Sequence, residues 1–275
     1  MGQASQVATI SRELAHAKLT RTLRVTGRRS DGYHLLSSEM VAVDLADELF
    51  IDEGGAGLLV EDEIAWERSD RTRPILEVPT NGTNLVARAL ALSGQRAGIR
   101  LVKRIPAGAG LGGGSTDAAA VLRYFGALDR EHAASLGADV PFCLDGGRAL
   151  VSGIGETLSP LPDESLSFVI VTPAFPVSTK AVYDAYDELG PPRDPGDNDL
   201  ESAAIAVEPR LLDLRRAISE ATGRAPTLAG SGASYFLECD ESDRAGLSAS
   251  LRVSLVKTIG QFVVSACAAS GRLVN

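Results

Sequence analysis

Residues 106–120 read PAGAGLGGGSTDAAA, and five of the seven positions from Gly108 to Gly114 are glycine. Residues without a Cβ let the chain turn tightly and let its backbone come close to another group. The segment before, GIRLVKRIP, alternates Ile99, Leu101, Lys103 and Ile105 and stops at Pro106, which predicts a strand. The segment after, STDAAAVLRYFGAL, predicts a helix with Ser115, Thr116 and Asp117 as first-turn or capping residues. Strand, glycine loop and helix in that order suit an anion. The loop N–H groups converge, and the helix adds its free N–H groups and positive dipole end. A tight turn with close helix packing fits the same residues.

Two familiar glycine motifs do not fit. The Walker loop needs a lysine after its last glycine, and none stands there. A G-x-G-x-x-G pattern can be laid on Gly108, Gly110 and Gly113. It should open a βαβ unit with an acidic residue about 20 positions on, whereas Asp129 lies too close and in a loop.

The 275 residues allow one large domain or two small ones, and 44% are apolar, enough for a core. The formal net charge of −9 argues against nucleic acid as a partner. An anionic substrate then has to be met by locally placed basic groups or amides. Cys143, Cys239 and Cys267 lack metal-ligand spacing and read as buried reduced thiols, which fits a cytoplasmic setting. The opening MGQASQVATISRELAHAK shows no apolar signal region, and no run is long enough to span a membrane.

LTRTLRVTG predicts a strand entering the turn GRRSDGYH, and SSEMVAVDLADELFIDE one or two more strands. Residues 53–82 are poorly patterned and read as turns, short strands and an insertion. NLVARALAL predicts a helix capped by Asn84, and DREHAASLG a short one. SPLPDES marks a seam, giving expected domains of 1–158 and 159–275. Beyond it come a buried strand LSFVIVTP, a helix STKAVYDAYDEL capped by Ser178, and one or two helices in 199–222. A second glycine cluster, LAGSGASYFLEC, precedes a helix ESDRAGLSASLR and a strand GQFVVSAC.

The glycine stretch resembles the phosphate-binding motif of the galactokinase–homoserine kinase–mevalonate kinase–phosphomevalonate kinase (GHMP) superfamily. Its triple-glycine form GLGGGSTDAA is similar to one branch, the 4-diphosphocytidyl-2-C-methyl-D-erythritol kinases of non-mevalonate isoprenoid synthesis. AKLTRTLRVTGRRSDGYHLL, NLVARA, LGADVPFCL, NDLE and GSGASYF resemble further motifs of that branch, in order, over about residues 15–240.

The resemblance implies an α+β fold of two domains, the first like ribosomal protein S5 and the second ferredoxin-like. It implies transfer of the γ-phosphoryl of ATP, with Mg2+, to the 2-hydroxyl of a substrate carrying a cytidine diphosphate group. It implies no nucleic acid or membrane partner, and a monomer or homodimer. Asp139 is implied as the base that accepts the hydroxyl proton and Lys18 as its cationic neighbour. On local sequence alone, Asp139 fits a helix cap as well. Tyr33 and His34 are implied to stack on and hydrogen-bond cytosine, and Asp117 and Thr179 to contact the rest of that substrate. Pro106, Gly108, Gly110, Leu111, Gly112, Gly113, Gly114, Ser115 and Thr116 are implied as the ATP loop. Gly230, Gly232 and Ala233 are implied as a second-domain loop closing on the site. The metal ligands are unassigned, with Ser115 one candidate beside the phosphates and water.

The lysine segment departs from the branch. His16 stands where proline is common, and Thr20 where asparagine is. Two other readings share the motifs: a sibling kinase for another small alcohol, and a non-catalytic nucleotide-binding homologue. Tyr33, His34 and the triple glycine argue against the first. Retention of both Lys18 and Asp139 argues against the second.

Overall fold

Alternating apolar and polar residues over the first fifty positions produce two long antiparallel strands, β1 (Ile10–Arg28) and β2 (His34–Asp52). The computed structural model describes residues 10–67, 78–192, 196–255 and 261–273. The strand expected to begin near Leu19 therefore starts earlier, and the segment after the turn is one strand. Strands of this length need corrections to their twist. The register of β1 shifts between His16 and Lys18, Thr20 and Thr22, and Val25 and Gly27.

The first sheet places β3 (Gly57–Asp62), β4 (Gly98–Lys103), β2, β5 (Arg148–Gly153) and β6 (Thr157–Pro160) in that order, with β1 paired to β2. One end of β2 pairs with β4 and the other with β5, so β2 joins all the pieces. Helices α1 (Leu85–Leu92), α2 (Gly113–Tyr124), α3 (Arg130–Ala134) and α4 (Val140–Asp145) belong to this half. The alanines of α2 and Val140, Phe142 and Leu144 of α4 share a buried cluster with Leu49, Ile51 and Leu101 of the sheet. Asn84 caps α1 by accepting a hydrogen bond from the Val86 N–H, 2.8 Å away.

The second sheet orders β10 (Phe262–Ala268), β7 (Ser167–Pro173), β9 (Tyr235–Cys239) and β8 (Thr227–Leu228), all antiparallel. Its sequential pattern 4-1-3-2, with helices after its first and third strands, is the expected ferredoxin-like layer. Those helices are α5 (Thr179–Leu189), α6 (Glu201–Val207), α7 (Arg210–Thr222) and α8 (Glu241–Leu255). Pro209 lies between α6 and α7. Among the described residues no helix is long and apolar enough to cross a membrane.

The seam expected at 158/159 falls inside β6, which pairs with β5, so the first sheet runs to Pro160. The chain also returns: Ala269 and Arg272 form bridges to Val43 and Gly146 of the first half. A third apolar cluster lies where the halves meet, with Leu19, Val41, Ile105 and Leu111 from one side and Phe168, Ile170, Ala229 and Phe236 from the other. Cys143 and Cys267 are buried free thiols, each pushed up to about 12 by burial, as expected of inert packing residues, whereas Cys239 is free but only half-buried. Of the 53–82 insertion, 68–77 lie outside the described residues, as does the N-terminal segment 1–9.

Candidate active site

The register shift of β1 beside Lys18 takes its N–H out of the ladder. The N–H instead donates to the Leu111 carbonyl of the glycine loop at 3.0 Å. The side chain is buried, and its ammonium lies 3.2 Å from Asp139 Oδ2 and donates to Thr20 Oγ1 at 3.2 Å. Thr20, where the branch commonly has asparagine, thus still supplies an oxygen to the lysine.

Asp139 stands at the start of α4 but makes no side-chain capping hydrogen bond. Its carboxylate turns to Lys18 instead, so it does not serve as the helix cap that its sequence also allowed. Its side chain keeps 31% of its accessible surface, against 7% for Lys18. A carboxylate held by a buried ammonium and still open to a ligand is suited to accept a proton.

The glycine loop wraps this pair. Gly108, Gly110 and Gly112 have φ of +68°, +79° and +72°, a left-handed backbone that side chains disfavour. A Cβ on Gly110 would stand 2.4 Å from the Ala229 carbonyl and 2.7 Å from that of Gly232. The first-half loop therefore touches the second-half loop through a glycine. The Ser234 N–H donates to the Ala109 carbonyl at 3.1 Å, and a Cβ on Gly230 would lie 3.6 Å from Lys18 Nζ. Of the second-half loop, Gly230 thus lies beside Lys18 and Gly232 beside Gly110, while Ala233 is buried in the second-half core. Thr179 joins them, its hydroxyl 2.8 Å from that of Ser231.

Helix α2 begins at Gly113, capped by the left-handed Gly112 without a side-chain cap bond. The expected capping residues lie inside the helix. The Ser115 hydroxyl has no hydrogen-bond partner among the described residues and lies near Gly137. Three of the expected site residues have side-chain partners inside the protein. The Thr116 hydroxyl is buried and donates to the His16 carbonyl at 2.5 Å, tying α2 to β1. Leu111 packs its side chain into the cluster between the halves, and only its backbone belongs to the loop. Asp117, expected to contact the second substrate, turns inward. It is buried against Lys103, because its helical position points into the sheet.

Tyr33 and His34 lie at the β1–β2 turn. Tyr33 is 62% exposed and free to stack. His34 Nε2 lies 2.7 Å from Asp187 Oδ1, and its ring stacks on Tyr183 with centroids 4.9 Å apart. Arg28 reaches the other Asp187 oxygen at 3.0 Å. Tyr183 and Asp187 of α5 were not singled out in the sequence. They look like ordinary helix residues until α5 packs beside the turn.

A cavity of about 590 Å³ opens on the outer side of the glycine loop. Ala107, Gly108 and Ala109 form one wall, and Val60, Trp66 and Lys103 face it from other elements. Lys103 was read only as part of a strand. The available signal was a lysine at a position whose partners in the alternation, Leu101 and Ile105, are apolar and buried. Asp47, between Leu45 and Leu49 in β2, carries the same signal. Burial works against charge on Lys103, but the nearby Asp117 and Asp47 carboxylates outweigh it and raise its pKa. Burial pushes Asp117 up to about 8.

Residues 83–147 match the GHMP kinases N terminal domain, a span that holds the glycine loop and Asp139. The chain is 40% identical over 244 residues to 4-diphosphocytidyl-2-C-methyl-D-erythritol kinase of Paracoccus denitrificans, covering 82% of this chain and 85% of the relative. It is 39% identical over 251 residues to that of Dinoroseobacter shibae, covering 81% and 83%. A crystal structure of 4-(cytidine 5'-diphospho)-2C-methyl-D-erythritol kinase superposes with a TM-score of 0.71 at 31% identity, over 95% of this chain and all 100% of that one. A homoserine kinase of Cytophaga hutchinsonii shares the fold at a TM-score of 0.59 and 17% identity, over 100% of this chain and 99% of that one. With identity of this level over most of its length, the chain belongs to the 4-diphosphocytidyl-2-C-methyl-D-erythritol kinase family and has the GHMP kinase fold.

Proposed function

We propose that the protein transfers the γ-phosphoryl group of ATP to the 2-hydroxyl of 4-diphosphocytidyl-2-C-methyl-D-erythritol, in the cytoplasm. The carrying observation is the Lys18–Asp139 pair, 3.2 Å apart and enclosed by both glycine loops. A binding protein has no use for a buried ammonium that holds a half-open carboxylate. A kinase for an alcohol needs both.

The cavity beside Gly108 takes the nucleoside of ATP, and its volume is ordinary for a small-molecule site. The triphosphate then lies along the amides of 108–114 at the N-terminus of α2, where backbone donors and the helix dipole favour anions. Tyr33 and His34 receive the cytosine of the second substrate, stacking on the ring and reading its edge. The alcohol oxygen attacks the γ-phosphorus, the bond from that phosphorus to the bridging oxygen breaks, and ADP leaves with the bond's electron pair. Asp139 accepts the alcohol proton, while the Lys18 ammonium steadies charge on the oxygens of the transferred group.

Mg2+ fits this site. The Ser115 hydroxyl at the loop's end, without a hydrogen-bond partner among the described residues, would be an oxygen ligand beside phosphate oxygens and water. When bound, the ion neutralises the β and γ phosphate oxygens. Among the described residues no cluster of three or more His, Cys, Asp or Glu forms a separate cage.

The test is a phosphorylation assay of the cytidyl substrate with ATP and magnesium, run on wild type and Asp139→Asn. Homoserine and mevalonate serve as competing acceptors. Product from either of those, and none from the cytidyl substrate, overturns the assignment.

A further inference from the structure

The loop that would hold the triphosphate is anchored at both ends by a single buried carboxylate. Asp47 of β2 has no accessible surface. One of its oxygens, Oδ1, accepts from the N–H groups of Arg104 at 2.5 Å and Ile105 at 2.8 Å, the residues leading into the loop. The other, Oδ2, accepts from the Lys103 ammonium. Lys103 in turn donates to Asp117 Oδ2 at 2.6 Å, on the helix that leaves the loop. A Cβ on Gly113, the first residue of that helix, would stand 3.3 Å from Lys103 Nζ.

Three elements are thus joined behind the loop: β2, the end of β4 and the start of α2. Burying two carboxylates with one ammonium is costly unless every partner is well placed. Packing alone would be served as well by apolar residues, as the surrounding leucines show. Asp117 Oδ1 has no partner, so the cluster is not merely a satisfied core network. Lys103 also lines the nucleotide-sized cavity, so the cluster and the ligand share a wall.

We propose that Asp47 is a positioning residue for the phosphate-binding loop, fixing its two ends through Lys103 and through the amides of residues 104 and 105. This rests on the reading of the cavity and loop as the ATP site. Asp47 touches neither substrate. Its effect falls on ATP affinity, because it pre-sets the donors that a flexible loop would have to order on binding. The cytidyl substrate, held by the β1–β2 turn and α5, is untouched.

The experiment measures ATP and cytidine diphosphate affinity by calorimetry, with steady-state KM for both substrates, in wild type, Asp47→Asn, Asp47→Glu and Lys103→Met. Asp47→Asn is expected to weaken ATP about tenfold or more while cytidine diphosphate stays within about twofold. Asp47→Glu recovers part of the loss. Equal loss for both ligands, or no loss for ATP, overturns the proposal. Should Asp47→Asn fail to fold, Lys103→Met cuts the link to Asp117 and leaves the amides on Asp47. An unchanged KM for ATP in that variant overturns the proposal equally. Wild type that binds no ATP sinks the site reading itself and the proposal with it. Wild type that binds ATP beside an indifferent Asp47→Asn sinks only the proposal.

Discussion

Gly112 and Lys18 are shaped to each other. A Cβ at 112 would stand 2.7 Å from Lys18 Cγ and 3.2 Å from its Cε, and φ at 112 is +72°. The lysine stem passes through the space that a side chain on the loop would fill. Gly112 of the glycine loop is therefore needed to seat the Lys18 side chain.

Gly112→Ala is expected to lower kcat by about 100-fold, because displacing the lysine by a fraction of an ångström misplaces the reacting groups. Gly246→Ala is the control. It lies in α8 with nothing within 4 Å of a new Cβ, and should raise stability by about 0.5–1 kcal/mol. Steady-state kinetics and thermal melts on both variants check this. Unchanged turnover in Gly112→Ala would refute the steric coupling.

Asp139→Asn keeps the shape of the site and removes the proton acceptor. Turnover should fall by about 10²–10⁴-fold with ATP still bound. Single-turnover phosphoryl transfer measures it, and near-normal turnover takes Asp139 out of the base role.

Tyr33→Ala should act on substrate binding alone, since the ring is 62% exposed and supports no core. Loss of base stacking is worth about 1–3 kcal/mol, seen as a higher KM for the cytidyl substrate with an unchanged melting temperature. If that KM does not move, cytosine is not bound at Tyr33.

Asp117 makes a prediction about pH. Its folded pKa, raised to about 8 by burial and opposed by the attraction of Lys103, lies above the unfolded value of 3.8. The folded state therefore holds a proton that the unfolded state has released. The stability this contributes is complete below about pH 4 and is lost as pH rises through about 8. Asp117→Asn removes this dependence while keeping an acceptor for Lys103. Between pH 5 and pH 8, wild type should lose stability relative to Asp117→Asn in urea melts. A constant difference would mean that Asp117 is ionised throughout.

Much of the site was legible because its residues sit in short runs with a local meaning. The glycine loop, Asn84 as a cap, DGYH as a turn and AGSGAS as a close-approach loop depend on backbone geometry that neighbours in sequence specify. The burial of Asp117 against Lys103 was not legible for the same reason. Local sequence puts it in the first turns of a helix, but which way that turn faces depends on the sheet behind it. Lys103 and Asp47 were hidden because a charged residue in an alternating strand looks solvated until another strand buries it.

The sequence alone determined the order of strands, loops and helices, the presence of a glycine backbone able to come close to another group, and a small set of polar residues able to do chemistry. Alternation, capping and glycine tolerance act over a few residues, so they can be read from the chain. Tertiary structure decided which of those residues meet. It set Lys18 against Asp139 rather than leaving Asp139 as a cap, turned Asp117 and the Thr116 hydroxyl inward, and brought Asp187 to His34. These choices follow from the packing of distant elements, where burial, close approach and charge pairing act across space.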